Sequence, residues 1–357
     1  MKKFLTTLTI AILLTVAAFA QDVHRETTIN MSSASTEALN PVLFPYNGGS
    51  GFFTISTSTV ASYQTSIVGN VAVTRVDESV NGGMTLRFNY TVPAATLPGK
   101  ASITVNIAGY SPQTLNINIA GKGGVSSSAS YASGKVVHGA LATFWGSNLG
   151  NLTQAQSLPL PLTLSGTQIF KQKLGDTSLT ACPLLFVSPQ QVNFQLPDDN
   201  QYGMYVIYSL NAAGEYYSEY VNVNAIAPDI FTINSTGAQT DHAAIAIQRN
   251  DGGQTTYENP TITYQNGKFV MTPVRLTAET YLLFYGSGAR KDVSLAASYA
   301  VLDDVTTIPL TYAGPQGFYV GLDQLAVKLP TSTTPGEHKI KFVVNGWHSN
   351  PVTIPIQ

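Results

Sequence analysis

The chain has 357 residues, with 18 basic and 20 acidic side chains, a formal net charge of −2 and only 11% charged residues. So sparse and balanced a charge creates no field for nucleic acid or anionic lipid. The length accommodates about three sandwiches of ~100 residues each, and the single cysteine, Cys182, leaves no internal disulfide to hold any of them.

Lys2 and Lys3 open the chain, Phe4 to Val16 is apolar, and Ala18-Phe19-Ala20 precedes Gln21. A basic start, a short apolar run and a small-x-small end predict a signal peptide over residues 1–20. The run is too short to span a bilayer, and no later apolar stretch reaches spanning length. The mature chain is expected to be soluble, in the periplasm or outside the cell.

Period-two alternation then dominates, as in Met84-Thr85-Leu86-Arg87-Phe88-Asn89-Tyr90 and Leu115-Asn116-Ile117-Asn118-Ile119. Such strands are half-buried and antiparallel. Asn211-Ala212-Ala213-Gly214 and Asn345-Gly346 read as hairpin turns. The expected fold is all-β: three tandem immunoglobulin-like β-sandwiches over residues 21–122, 123–232 and 233–357. Gly121-Lys122-Gly123-Gly124-Val125-Ser126-Ser127-Ser128 has the composition of a flexible linker, so the first sandwich is expected to hang loosely. Ala227-Pro228-Asp229-Ile230-Phe231-Thr232 has no such spacer, so the second and third are expected to abut.

Those two halves repeat each other. Phe144-Trp145-Gly146-Ser147-Asn148, Pro183 to Gln190 and Val192-Asn193-Phe194-Gln195-Leu196-Pro197 return as Phe284-Tyr285-Gly286-Ser287-Gly288, Pro309 to Gln316 and Leu325-Ala326-Val327-Lys328-Leu329-Pro330. A fixed order of strand, Gly turn, Pro-Gln turn and strand is one structural unit used twice.

Ser128-Ala129-Ser130-Tyr131-Ala132-Ser133-Gly134, Phe144-Trp145-Gly146-Ser147-Asn148-Leu149, Leu158-Pro159-Leu160-Pro161, Asn250-Asp251-Gly252 and Ser349-Asn350-Pro351 carry a resemblance. With them, residues 128–357 resemble a C-terminal module on secreted proteins of one lineage of soil bacteria, a pair of immunoglobulin-like domains of the IPT/TIG type. The resemblance implies fold and export but no catalytic residue. His138-Gly139 stands where that family has Pro-Gly, and Thr261 to Pro273 looks like an insertion. Residues 21–122 are similar to bacterial adhesive modules of the BACON kind.

Little here suggests chemistry. The five histidines, His24, His138, His242, His338 and His348, lack the clustered spacing of a zinc site and are expected in surface or turn positions. Asp198-Asp199 and Asp303-Asp304 lack the spacing of a calcium loop and read as solvated turns. Gly286-Ser287-Gly288 lacks the Gly-x-Ser-x-Gly spacing of a nucleophile turn. Cys182, in an apolar setting, reads as a buried inert thiol and Trp145 as a core filler. No enzyme activity, metal or cofactor is expected.

The surface signal is aromatic. Tyr202, Tyr205, Tyr208, Tyr216, Tyr217 and Tyr220 crowd one hairpin, whose alternation puts one set in the core and the other on an outer face. Tyr205, Tyr216, Tyr220 and Trp347 are the candidate ligand-binding residues, against the alternative of a cross-strand ladder that only stabilises the sheet. The function expected is a secreted, non-enzymatic adhesion or scaffold protein with an extracellular protein partner. The alternative is a carbohydrate-binding protein that recognises extracellular polysaccharide through exposed aromatics. The sequence leaves the oligomeric state open. Mass spectrometry of the secreted or periplasmic fraction should find a mature N-terminus at Gln21, and full-length chain in the cytoplasm would overturn the export expectation.

Overall fold

The computed structural model describes residues 24–30, 41–57, 62–80, 83–108, 111–291 and 293–357. The expected leader, residues 1–20, lies outside them. Among the described residues regular structure is β-strand, apart from one 3-10 turn at Leu295–Ala297. None of their helices is long and apolar enough to cross a membrane.

The strands pair where their apolar faces can be covered. His24–Asn30, Gly49–Thr57, Gly83–Val92 and Ala72–Val80 form one four-stranded sheet, and Val42–Phe44, Gln113–Ile119, Gly99–Ile107 and Tyr63–Val68 form another. Alternation points Leu86, Phe88 and Tyr90 from the first sheet, and Ile103, Val105, Leu115 and Ile117 from the second, into one core. Phe53 stacks on Phe88 with ring centroids 4.9 Å apart. Each such side chain contributes about 1.5–3 kcal/mol by leaving water.

A second core lies between two further sheets. One runs Gly124–Ser127, Leu141–Trp145, Gln191–Gln195, Leu184–Val187, Thr153–Gln154; the other runs Val136–Val137, Tyr216–Asn224, Gly203–Leu210, Gln168–Lys173, Thr180–Cys182. A third core fills a ten-stranded sheet that folds over on itself, because the long Thr306–Pro315 strand pairs Ser298–Leu302 with its first half and Asp323–Val327 with its second.

The repeat is geometric as well as verbal. In the second core Phe144 pairs Val192, and in the third Phe284 pairs Leu325, on the same central strand in each case. Both copies shift register at the same place, between Leu184 and Phe186 and between Leu310 and Tyr312. The copies part after the Pro-Gln turn: Val192 follows Gln190 almost at once, whereas Gly317 to Leu322 intervene before the second strand.

Residues 121–128 are not a flexible linker. Gly121–Lys122 pairs in parallel with Tyr216–Asn224, and Gly124–Ser127 pairs Leu141–Trp145. The glycines serve close approach: a Cβ on Gly121 would lie 2.7 Å from Pro98 Cδ, and one on Gly123 would lie 2.4 Å from Phe144 Cζ. The serines are buried and bonded; Ser126 Oγ accepts from Trp145 Nε1 at 2.8 Å, and Ser128 Oγ meets Thr143 Oγ1 at 3.0 Å.

The first sandwich is therefore docked, and the tyrosine hairpin is what it docks on. Val206, Tyr208, Tyr216 and Tyr220 form one outer face, on which Leu43 and Ala120 pack. Tyr46 N–H donates to Ser218 Oγ (2.8 Å), Tyr220 OH donates to Asn47 Oδ1 (2.7 Å), and the Tyr46 and Tyr220 rings meet edge to face at 6.0 Å. Limited proteolysis of the wild type should spare 121–128. Tyr220→Ala should weaken the docking by about 1–2 kcal/mol and make 121–128 the first site cut. Early cutting there in the wild type would show that the contact does not hold.

Candidate functional site

The four aromatic candidates do not assemble into one platform. Tyr205 is withdrawn into the second core at 1% exposure, a correction to its expected place on the outer face. Its alternation is as expected, but the face it shares with Tyr217 and Val221 is the inner one. Tyr205 OH donates to Asp199 Oδ2 (2.9 Å), and burial followed by that carboxylate raises its pKa. Tyr216 and Tyr220 are half-buried beneath the first sandwich, as structural contacts. Trp347 stays 49% exposed, on a short strand against Val343–Val344 and far along the chain from the hairpin.

Other candidates resolve into packing. Cys182 is buried among the second core's side chains, and burial pushes its thiol up to about 12. Trp145 is only half-buried, because Phe144 on the same strand takes the core position. Ser287 is buried, and its hydroxyl donates to Leu141 O at 3.2 Å. His138 and His338 are buried rather than surface residues. The ring nitrogens of His138 face Pro197 O and Gln201 O, and those of His338 face Asp303 Oδ2 and Thr334 O, so each histidine staples a turn. Asp198-Asp199 and Asp303-Asp304 are ion-paired turns: Asp198 with Lys291, Asp199 with Lys171, Asp303 with His338, Asp304 with Lys339 and Lys341.

What the structure offers as a site is a groove of about 920 Å3 where the second and third cores meet. Leu141, Leu158, Leu160 and Leu185 form one wall; Phe231, Tyr285 and Leu322 form the other. Phe318 and Tyr319 stand at its rim, 85% and 71% exposed, on the loop by which the third copy departs from the second. The loop is held from within, since Gln316 Oε1 accepts both the Phe318 N–H (2.9 Å) and the Tyr319 N–H (3.1 Å). It also touches the opposite wall: Gly321 has φ +73° and a Cβ there would lie 2.7 Å from Leu141 Cγ. The sequence signal for this pair was the gap between the Pro-Gln turn and the following strand in one copy only.

Ionic contacts behind the groove fix its walls. Asp229, fully buried, accepts from Lys135 Nζ at 2.6 Å and from Ser130 Oγ. Lys135 Nζ also reaches His348 O at 2.8 Å, tying the second core to the third. Arg290, which lies against Gly139, pairs with buried Asp323 at 2.7 Å. Burial pushes the Asp323 carboxyl up and the Arg290 charge works against that.

No protein-family model matches the chain, and no curated protein matches it. Among solved structures, one of the Bacteroides ovatus mixed-linkage glucan utilization locus SGBP-B with a mixed-linkage heptasaccharide overlaps 92% of this chain and 68% of its own, at 11% identity and TM-score 0.29. The eight N-terminal Ig domains of Down Syndrome Cell Adhesion Molecule overlap 90% of this chain and 36% of their own, at 12% identity and TM-score 0.20. FdeC, an Escherichia coli adhesin, overlaps 89% of this chain and 94% of its own, at 14% identity and TM-score 0.18. At these identities and scores no ligand or residue role carries over.

The Arg290–Asp323 pair lies within the third sandwich, with Arg290 against Gly139 of the second, and gives a check on that wall of the groove. Removing one partner of a buried pair leaves the other charge uncompensated, so Arg290→Ala should cost about 3–5 kcal/mol. Arg290→Met combined with Asp323→Asn should recover most of that loss in chemical denaturation. A double variant no more stable than Arg290→Ala would mean the loss was packing, not charge.

Proposed function

We propose that the chain is a secreted, non-enzymatic adhesion or scaffold protein that engages an extracellular protein through the groove between its second and third sandwiches. In this reading residues 1–20 are a cleaved signal peptide. Three immunoglobulin-like domains follow over 21–122, 123–232 and 233–357, the last two a pair of the IPT/TIG type. The observation that carries the reading is the exposed pair Phe318 and Tyr319 at the rim of an aliphatic groove. Aromatic anchors beside a pocket that excludes water are where protein interfaces concentrate their affinity. The lining supports a protein segment over a sugar, because leucines outnumber the amides and hydroxyls of Gln156, Ser157 and Asn259. The polysaccharide alternative loses the hairpin platform on which it stood, since Tyr205 is buried and Tyr216 and Tyr220 are covered.

A photo-crosslinking residue at position 318, expressed in the producing cells, should trap a discrete protein of the envelope or medium. The same residue at exposed Val305 should not. Phe318→Ala with Tyr319→Ala should keep the melting temperature and weaken retention on intact cells by about 30-fold or more, the loss expected for an interface hot spot. Equal trapping at both positions, or unchanged retention, would overturn the proposal.

A further inference from the structure

We infer that the third sandwich carries a second binding site, for a neutral oligosaccharide, in the cleft beneath the hairpin that interrupts its repeat. Thr261 to Pro273 folds as Ile262–Gln265 and Lys268–Met271 around an Asn266-Gly267 turn with φ +50° and +83°. Cross-strand register puts Ile262, Tyr264, Phe269 and Met271 on one face. Met271 anchors this face in the third core, while Tyr264 and Phe269 project beyond it, 67% and 48% exposed, with rings edge to face at 5.2 Å. A hairpin with one buried anchor and two solvent-facing rings gains little stability from those rings, so their presence calls for another explanation.

The cleft below the hairpin measures about 650 Å3, within the range of about 300–1,000 Å3 usual for small-ligand sites. Side chains brace its walls where a neighbouring strand would otherwise pair. Asn234 Oδ1 accepts the Phe269 N–H (2.7 Å), and Asn234 Nδ2 donates to Phe269 O (2.9 Å). His242 Nδ1 lies 2.9 Å from the Met271 N–H and accepts from it, which leaves the proton on Nε2 to donate to Glu337 Oε2 at 3.1 Å. Asp241 accepts from Asn234 Nδ2 (2.6 Å) and Thr236 Oγ1 (2.8 Å). The walls are thus set before any ligand arrives, which spares ordering cost on binding.

The lining suits a sugar and disfavours other ligands. Phe269 lines the cleft as an aromatic for the C–H side of a pyranose, and Gln265, Asn266, Lys268, Thr240 and Glu337 line it with donors and acceptors. With His242 neutral, Asp241 and Glu337 outweigh Lys268, so an anionic glycan would meet net repulsion. The site does not depend on the groove at Phe318, and the two proposals fail separately.

The test is a binding array of cello-, xylo-, manno- and chito-oligosaccharides with oligogalacturonate as the anionic control. The wild type should hold at least one neutral series and not the oligogalacturonate. Phe269→Ala should weaken that binding about tenfold, near the upper end of one aromatic contact. Lys268→Ala should also weaken it, and Phe318→Ala with Tyr319→Ala should leave it unchanged. If Phe269→Ala lowers the melting temperature, Lys268→Ala, an exposed position, decides in its place. Failure of every neutral series, retention of oligogalacturonate alone, full binding in the deciding variant, or loss in the Phe318/Tyr319 variant would each overturn the inference.

Discussion

The hairpin of Gly203–Leu210 and Tyr216–Asn224 is apolar on both faces, and the arrangement of the first two sandwiches depends on covering both. Its inner face puts Tyr205, Ile207, Tyr217 and Val221 into the second core. Its outer face puts Val206, Tyr208, Tyr216 and Tyr220 where a lone sandwich would have water. Strands buried on both sides lose the polar alternation of a solvated sheet and need a second layer above them. The first sandwich is that layer. A chain with one cysteine has no disulfide to fix such a contact, so tyrosine supplies both the area and the hydroxyls that bond across it.

The junction between the second and third sandwiches is built on another principle. Asp229 and Asp323 are fully buried, each with a cation, and each therefore demands the geometry that compensates it. Buried pairs of this kind add little net stability against an apolar substitute, because desolvation offsets attraction. The pair that opposes sliding is Lys135–Asp229, because Asp229 pairs with Ser287 on the third sheet and a shift of that sheet would strip Lys135 from it; Arg290 and Asp323 both belong to the third sandwich. A groove whose walls come from two separate cores keeps its shape only if the cores cannot slide. The charges behind it and the apolar lining within it are parts of one arrangement.

Much of this was legible in the sequence, and the reasons for the exceptions are specific. Alternation gave the strands and the repeat gave one unit used twice, while the matching registers, down to the shift beside Leu184 and Leu310, came only with the fold. The 121–128 segment misled because glycine and serine have two uses. Composition suggests entropy, but here Gly123 lets Phe144 approach and Ser126 and Ser128 hydrogen-bond inside a sheet. Parity correctly divided Tyr205 from Tyr208, yet parity cannot tell which face another sandwich will cover. The histidines misled for a related reason, since His138 and His338 find backbone oxygens and carboxylates that only the fold brings near. The groove was invisible as a site because its lining comes from segments far apart in sequence.

The two copies of the repeat also show where to look for function in a fold that carries no obvious chemistry. Residues that both copies keep, such as Phe144 and Phe284, or Leu184 and Leu310, are buried and serve the cores. Among the segments in which the third copy departs from the second are the Gly317–Leu322 loop and the 261–273 hairpin, and these carry Phe318, Tyr319, Tyr264 and Phe269 to the surface. A loop can lengthen at small entropic cost, since closure rises only with the logarithm of its length. Exposed rings, however, carry a continuing risk of aggregation that surface charge does not. In a chain with so few charges, a structural role would favour polar residues at those tips. That these two departures from the shared unit end in solvent-facing aromatics is what a recognition role for the third sandwich would produce.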